Sequence, residues 1–189
     1  MCLILNQIIE IDKMSVQNND KYILDTNVLI KLFYPSMNDH NVKPYIEIYQ
    51  KIIDNRADIY ISSIQISEFV NRCIRFQFKL YQEDHPEITD FKAGYRDTED
   101  YRNSMDAILE NVADMFERFK RIDDKFDETN SQNLLLKGFA YDFNDALIAE
   151  LCRKYKAYLV TDDKDYINYL KGIDLVTANR KILMFAHKR

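Results

Sequence analysis

Short apolar runs alternate with longer segments of helical periodicity along this chain. The runs have the length and composition of buried strands and lie at residues 22–24, 58–62, 158–161 and 174–177. Apolar residues that recur every three or four positions predict helices at 28–33, 62–81 and 145–155. Because strands and helices alternate, the sequence predicts an α/β fold with a mainly parallel sheet and helices on both faces.

The clearest helical pattern covers residues 101–119. Its apolar stripe consists of Tyr101, Met105, Ile108, Leu109, Val112, Phe116 and Phe119. A stripe this long is rarely left in water, so we expect it to be buried on the domain itself or against a second copy of the chain. It lies in a predicted helical insertion at about 82–135.

The composition indicates one domain. A chain of 189 residues, 47% of them hydrophobic, closes one sizeable core. We divide it into an N-terminal extension at 1–20 and a domain at 21–189. The cysteines at positions 2, 73 and 152 are too far apart for a disulfide framework or a zinc knuckle, which predicts a reducing, cytoplasmic location. The apolar segment at the start is too short for a bilayer, so no membrane is expected.

The net charge of −5 disfavours a protein that binds DNA through a broad basic face. Acidity does not exclude a nuclease, because carboxylates that hold divalent cations are themselves negative and the cations reverse the local field. What matters is therefore where the acids lie.

Acidic residues follow or flank the predicted strands in four segments of the chain. They are Asp25, Glu68, the pair Asp142 and Asp145, and the group Asp162, Asp163 and Asp165. The carboxyl ends of parallel strands meet at one edge, where ligands of such folds bind. Several converging carboxylates repel one another unless they hold protons or cations, and oxygen ligands suit Mg²⁺ or Mn²⁺.

Each acid also has a purely structural interpretation. Asp25 follows a strand and could cap the next helix. Asp142 stands at capping-box spacing from Asp145. Asp145 is different, because it shares a helix face with Ile148 and Cys152, where an unpaired acid is costly without a ligand.

Four segments resemble the signature segments of PIN domains, including the VapC-type toxins of bacterial toxin–antitoxin pairs. They are residues 22–30 (YILDTNVLI), 61–69 (ISSIQISEF), 144–149 (NDALIA) and 158–166 (YLVTDDKDY). The resemblance implies a three-layer α/β/α sandwich and a Mg²⁺- or Mn²⁺-dependent endoribonuclease acting on single-stranded RNA. It also implies an antitoxin protein and a homodimer as candidate partners.

The resemblance also assigns roles to individual residues. Asp25, Glu68, Asp145 and Asp163 correspond to the catalytic, metal-binding acids, and Asp165 to a further acid position. The supporting polar positions are Asn27 and Thr161, with Asp142 and Asp162 beside them. Asp162 stands where relatives commonly have a neutral or basic residue, so the choice among Asp162, Asp163 and Asp165 stays open. The segment between Glu68 and Asp145 is longer than in a compact toxin, which puts the toxin assignment in doubt.

Substrate contacts are expected from Arg72, Arg75 and Lys79, which share one helix face. The alternative is a solvated helix face. For the whole chain, one alternative is a catalytically silent PIN-fold module that binds RNA or protein. Another is a phosphoacceptor domain that uses Asp25, with Lys164 as its only candidate lysine.

Overall fold

The computed structural model describes residues 7–35 and 41–187, in which six strands form one entirely parallel sheet. The strands are β1 (Ile8–Glu10), β2 (Lys21–Leu24), β3 (Asp58–Ser62), β4 (Lys120–Ile122), β5 (Tyr158–Val160) and β6 (Leu175–Thr177). Their order across the sheet is β1-β6-β5-β2-β3-β4. The α/β class and the mainly parallel sheet predicted from the sequence are confirmed.

Seven α-helices connect the strands within the same described residues. They are α1 (Thr26–Phe33), α2 (Lys43–Asp54), α3 (Ser63–Asp84), α4 (Glu99–Arg118), α5 (Ser131–Leu134), α6 (Phe143–Tyr155) and α7 (Arg180–Ala186). A 3₁₀ turn at Lys164–Tyr169 follows β5.

Two apolar cores lie on opposite faces of the sheet. Tyr22 and Leu24 belong to the core shared with α1 to α4, whereas Ile23 between them belongs to the core shared with α6. This division follows from the alternation of side chains along a strand. The result is a helix, sheet and helix sandwich of three layers.

Both edge strands were missed from the sequence because neither has the fully buried apolar run that marks the central strands. The segment predicted as an N-terminal extension contributes β1, in which Ile8 pairs with Leu175 of β6. The helix predicted to reach Phe119 ends at Arg118, and the extended Phe119 leads into β4. Short, polar edge strands such as Lys120–Ile122 carry no apolar alternation that a sequence pattern could detect.

The stripe on α4 is mostly buried within the chain. Ile108 and Val112 pack with Met115 in the core that α4 shares with α3. Leu109 and Phe116, however, are 49% and 41% exposed. Within the single chain each lies one position beyond the buried line, on the flank of the helix, so burial of these two residues against a second copy stays a prediction.

Cys73 and Cys152 are buried free thiols, and Cys2 lies outside the described residues. Across 7–35 and 41–187, no helix is both long and apolar enough to cross a bilayer.

Candidate functional site

Asp25 stands directly beyond the carboxyl end of β2, in the middle of the sheet. Its backbone N–H donates to the Val160 carbonyl of β5 at 2.9 Å. On the other side, the Gln65 amide of α3 donates to the Leu24 carbonyl at 2.6 Å. Gln65 also accepts a bond from the Ser62 N–H, which forms a capping box at the start of α3. These bonds fix the backbone that carries Asp25 between its two neighbouring strands.

The Asp25 side chain is 3% exposed and accepts hydrogen bonds from neutral groups. Thr161 Oγ1 donates at 3.0 Å, and Tyr166 Oη and Asn27 Nδ2 donate at 3.2 Å. Burial raises the pKa of the Asp25 carboxyl to about 6, and the negative charges of Glu68 and Asp163 add to this rise. The bonds from Thr161 and Tyr166 oppose it.

Asp145 lies in the first turn of α6, on the side that faces Asp25. Its pKa is raised to about 7, first by burial and then by the charges of Asp25 and Asp142. The buried Tyr166 hydroxyl donates to Asp25, and the charges of both Asp25 and Asp145 raise the pKa of this phenol after burial. Asp142 caps α6 by accepting bonds from the N–H groups of Asn144 and Asp145.

Glu68 and Asp163 complete the group. Glu68 Oε2 accepts hydrogen bonds from Thr26 Oγ1 at 3.0 Å and from Asn144 Nδ2 at 3.4 Å. The Asn27 amide donates to Asp163 Oδ2 at 3.3 Å as well as to Asp25, so it bridges two carboxylates. The structure therefore gathers Asp25, Glu68, Asp145 and Asp163 at one end of the sheet.

The donors at this site fit a hard divalent cation. Among residues 7–35 and 41–187, no lysine or arginine forms an ion pair with Asp25, Asp145 or Asp163. In the same ranges, no three acidic, histidine or cysteine side chains are already arranged to coordinate one ion. The Asn27 amide instead donates to Asp25 and Asp163, and the Tyr166 hydroxyl donates to Asp25. Oxygen-only ligands with uncompensated charge are the kind that Mg²⁺ and Mn²⁺ bind.

The three aspartates at 162, 163 and 165 have different surroundings. The Asp162 carboxylate pairs with Lys31 Nζ at 2.7 Å and accepts from Tyr45 Oη at 2.8 Å. Asp163 faces Asn27, while Asp165 donates its backbone N–H to Asp163 Oδ1 at 2.9 Å. Asp163 is thus the member of this loop that joins Asp25, and Asp162 has a partner of its own.

Two of the three residues on the predicted basic face of α3 make contacts within the chain. Arg72 lies 3.5 Å from Glu68 Oε1, which ties it to the acidic group. The Arg75 guanidinium stacks 3.9 Å from the centre of the Phe91 ring, in the insertion. Lys79 is exposed.

Several contacting residues were not singled out from the sequence. Tyr166 and Asn144 lie inside the resembling segments, so their position offered a signal, whereas nothing in the sequence pairs Lys31 and Tyr45 with Asp162. Their contacts depend on how α1 and α2 pack against the loop after β5.

Comparison with known proteins gives a family for this chain. A family model for the PIN domain matches residues 22–172. No curated protein matches the chain. Solved structures similar to it include VapBC2 from Rickettsia felis bound to a DNA fragment from its promoter, at 17% identity and a TM-score of 0.48, covering 83% of this chain and 98% of that one. DNA-bound VapBC from Salmonella typhimurium is 17% identical with a TM-score of 0.49, and the match covers 84% of this chain and 98% of that one.

Proposed function

This chain belongs to the PIN domain family, and we propose that it is a Mg²⁺- or Mn²⁺-dependent endoribonuclease that hydrolyses phosphodiester bonds of single-stranded RNA. One observation carries the proposal. Asp25 and Asp145 are sheltered together at the carboxyl end of a parallel sheet, where burial and the charges of neighbouring acids raise their pKa values to about 6 and 7. Such acids need positive charge at neutral pH, and among the described residues they have no ion pair.

The side chains divide the chemical work. Asp25, Asp145 and Asp163 would hold the cation, which when bound supplies an acidified water and neutralises charge on the phosphate. Asn27 and Thr161 orient the carboxylates through the bonds described above. Glu68, held by Thr26 and Asn144, would bind a second ion or orient the attacking water. Because water is the nucleophile, we expect products with a 3′ hydroxyl and a 5′ phosphate.

The proposal includes partners. We propose an antitoxin protein and a homodimer on the resemblance to VapC-type toxins, and the cytoplasm as the site of action on the pattern of cysteines. Copurification of the chain with the product of a short neighbouring reading frame would test the antitoxin. Light scattering of the purified chain would test the dimer.

The decisive experiment is an RNA cleavage assay with matched variants. The parent should cleave labelled single-stranded RNA in Mg²⁺ or Mn²⁺ and not in a chelator, whereas Asp25→Asn should lose roughly a thousandfold in rate, equivalent to several kcal/mol of metal-assisted catalysis. Asp106→Asn makes the same change at an exposed position on α4 and should cleave like the parent. A parent that binds RNA without cleaving it in either metal would support the catalytically silent module instead.

A further inference from the structure

A small groove opens at the carboxyl edge of β3 and β4, next to the acidic site. Its volume is about 250 Å³, and we call it the edge groove. Its walls come from Ile61, Ser62, Ile66, Phe116, Arg121 and Ile122. The lining is mainly apolar, and Arg121 is its only charged member.

Phe116 and Arg121 form an exposed pair on one wall. Phe116 is 41% exposed, and the Arg121 guanidinium lies 5.3 Å from the centre of its ring. Within residues 7–35 and 41–187, Arg121 has no carboxylate at ion-pair distance, in contrast to Arg72, which pairs with Glu68. The edge groove therefore combines an aromatic face with an uncompensated positive charge.

The strand register places this groove beside Asp25. Since Ile23 pairs with Tyr60, Asp25 falls level with Ser62, and Ser62 in turn pairs with Ile122 of β4. Neighbouring strands are about 4.8 Å apart, so the far wall of the groove lies roughly 10 Å from Asp25. Ile66 and Glu68 belong to the same turn of α3 but point to different sides of it. The groove and the acids thus flank the first turns of one helix.

We propose that the edge groove binds a nucleobase of the RNA substrate, stacked on Phe116, while Arg121 contacts an adjacent phosphate. This inference rests on the proposed function, because it takes the substrate to be single-stranded RNA cleaved at the acidic site. Stacking on aromatic rings beside arginine is how proteins hold single strands without reading their sequence. A cavity of about 250 Å³ with one arginine and no acid suits one base of a polyanion. A protein partner is a poorer fit, because a stable protein interface buries roughly 800 Å² on each partner, which is far more surface than this small groove offers.

Binding in an Asp25→Asn background tests the groove without hydrolysis. Fluorescence anisotropy with a labelled single-stranded RNA in Mg²⁺ should show that adding Phe116→Ala weakens binding about five- to hundredfold, the range expected for one lost stacking contact. Phe116→Trp should retain the affinity of the background. Leu109→Ala, an equally exposed apolar position on the same helix, should change nothing. An abasic oligomer with the same backbone should be insensitive to Phe116→Ala and weakened by Arg121→Gln.

Several outcomes would overturn the inference. They are unchanged RNA affinity in Phe116→Ala, equal losses with the RNA and the abasic oligomer, and equal losses in Leu109→Ala. A dimer that sediments as a monomer only after Phe116→Ala would assign the groove to a second copy of the chain, which also overturns the inference. The proposed function fails separately, when the parent cleaves no RNA while the base-dependent binding is still measured.

Discussion

Asp25 and Asp162 lie at the same end of the sheet, yet only Asp162 receives a cation from the chain itself. Lys31, whose side chain is 4% exposed, reaches Asp162 at 2.7 Å, and Tyr45 adds a bond at 2.8 Å. The donors to Asp25 from the described part of the chain are all neutral, and its pKa is raised to about 6 because it is buried beside other acids. The carboxylate with an internal partner fixes the structure, whereas the proposed function assigns the other one to an external cation.

The contacts of Asp162 also hold the residues around Asp25 in place. Besides its side-chain contacts, Asp162 accepts a bond at its carbonyl from Asn179 Nδ2 at 2.6 Å, which ties the loop after β5 to the loop after β6. Tyr45 bonds to Thr161 O and accepts from the Ala178 N–H. Thr161 and Asp163, which contact Asp25 and Asn27, flank Asp162 and are positioned by the same network.

The largest expected effect comes from breaking the paired site. Lys31→Met should lower the free energy of unfolding by about 3 to 5 kcal/mol, because it leaves the carboxylate of Asp162 without its buried partner. Adding Asp162→Asn should recover part of the loss. The matched control is Lys120→Met, which removes a pair of the same 2.7 Å length to Asp58 from an exposed lysine. Denaturant unfolding measures all three variants. Equal losses in the Lys31 and Lys120 variants would remove the basis of the comparison.

For Asp25, the expected change in stability on substitution has the opposite sign. The pKa of Asp25 is raised from 3.8 to about 6 in the folded chain, so ionising it costs stability as pH rises through this window. In a chelator at pH 8, Asp25→Asn should therefore be more stable than the parent by about 2 to 3 kcal/mol, and at pH 4 nearly equal to it. Thermal unfolding across this pH range measures the difference. A variant that is less stable than the parent at pH 8 would show that the ionised Asp25 carboxylate does not destabilise the folded chain.

The sequence predicts contacts between neighbouring residues better than contacts between residues far apart along the chain, and the surroundings of Asp25 and Asp162 show this difference. The acids at strand ends follow from local patterns, since Asp25 comes directly after an apolar run and Asp145 stands on the apolar face of a helix. The Lys31–Asp162 pair joins positions 131 residues apart, so no local period indicates it. Lys31 is the single charge in the apolar segment Thr26–Phe33, but its burial depends on how α2 packs against it.

The same limit applied at the edges of the fold. Central strands are buried on both faces and are visible as apolar runs, whereas β1 is only half-buried and β4 is polar at two of its three positions. Residues 101–119 carried a correct helical period, but Leu109 and Phe116 flank the stripe that packs on α3. The periodicity of a helix shows which way its apolar face points, but tertiary packing decides how wide the buried part of that face is.

A smaller effect should come from the amide that bridges two unpaired acids. Asn27→Ala removes the hydrogen bonds to Asp25 and Asp163 and should reduce Mn²⁺ affinity and cleavage rate about ten- to hundredfold, as loss of a group that orients ligands does. Asn55→Ala is the matched control, because Asn55 is exposed at the end of α2 and its amide donates to the Lys51 carbonyl rather than to an acid of the site. If both variants keep the affinity of the parent, the bridge has no part in holding the acids.

The most direct test of the central claim is a calorimetric titration of metal-free protein with Mn²⁺ at pH 8. The account predicts that the parent binds Mn²⁺, that Asp25→Asn and Asp145→Asn lose detectable binding, and that Asp162→Asn keeps the stoichiometry of the parent. A parent that binds no Mn²⁺, or an Asp25→Asn variant that binds it as tightly as the parent, would contradict the account.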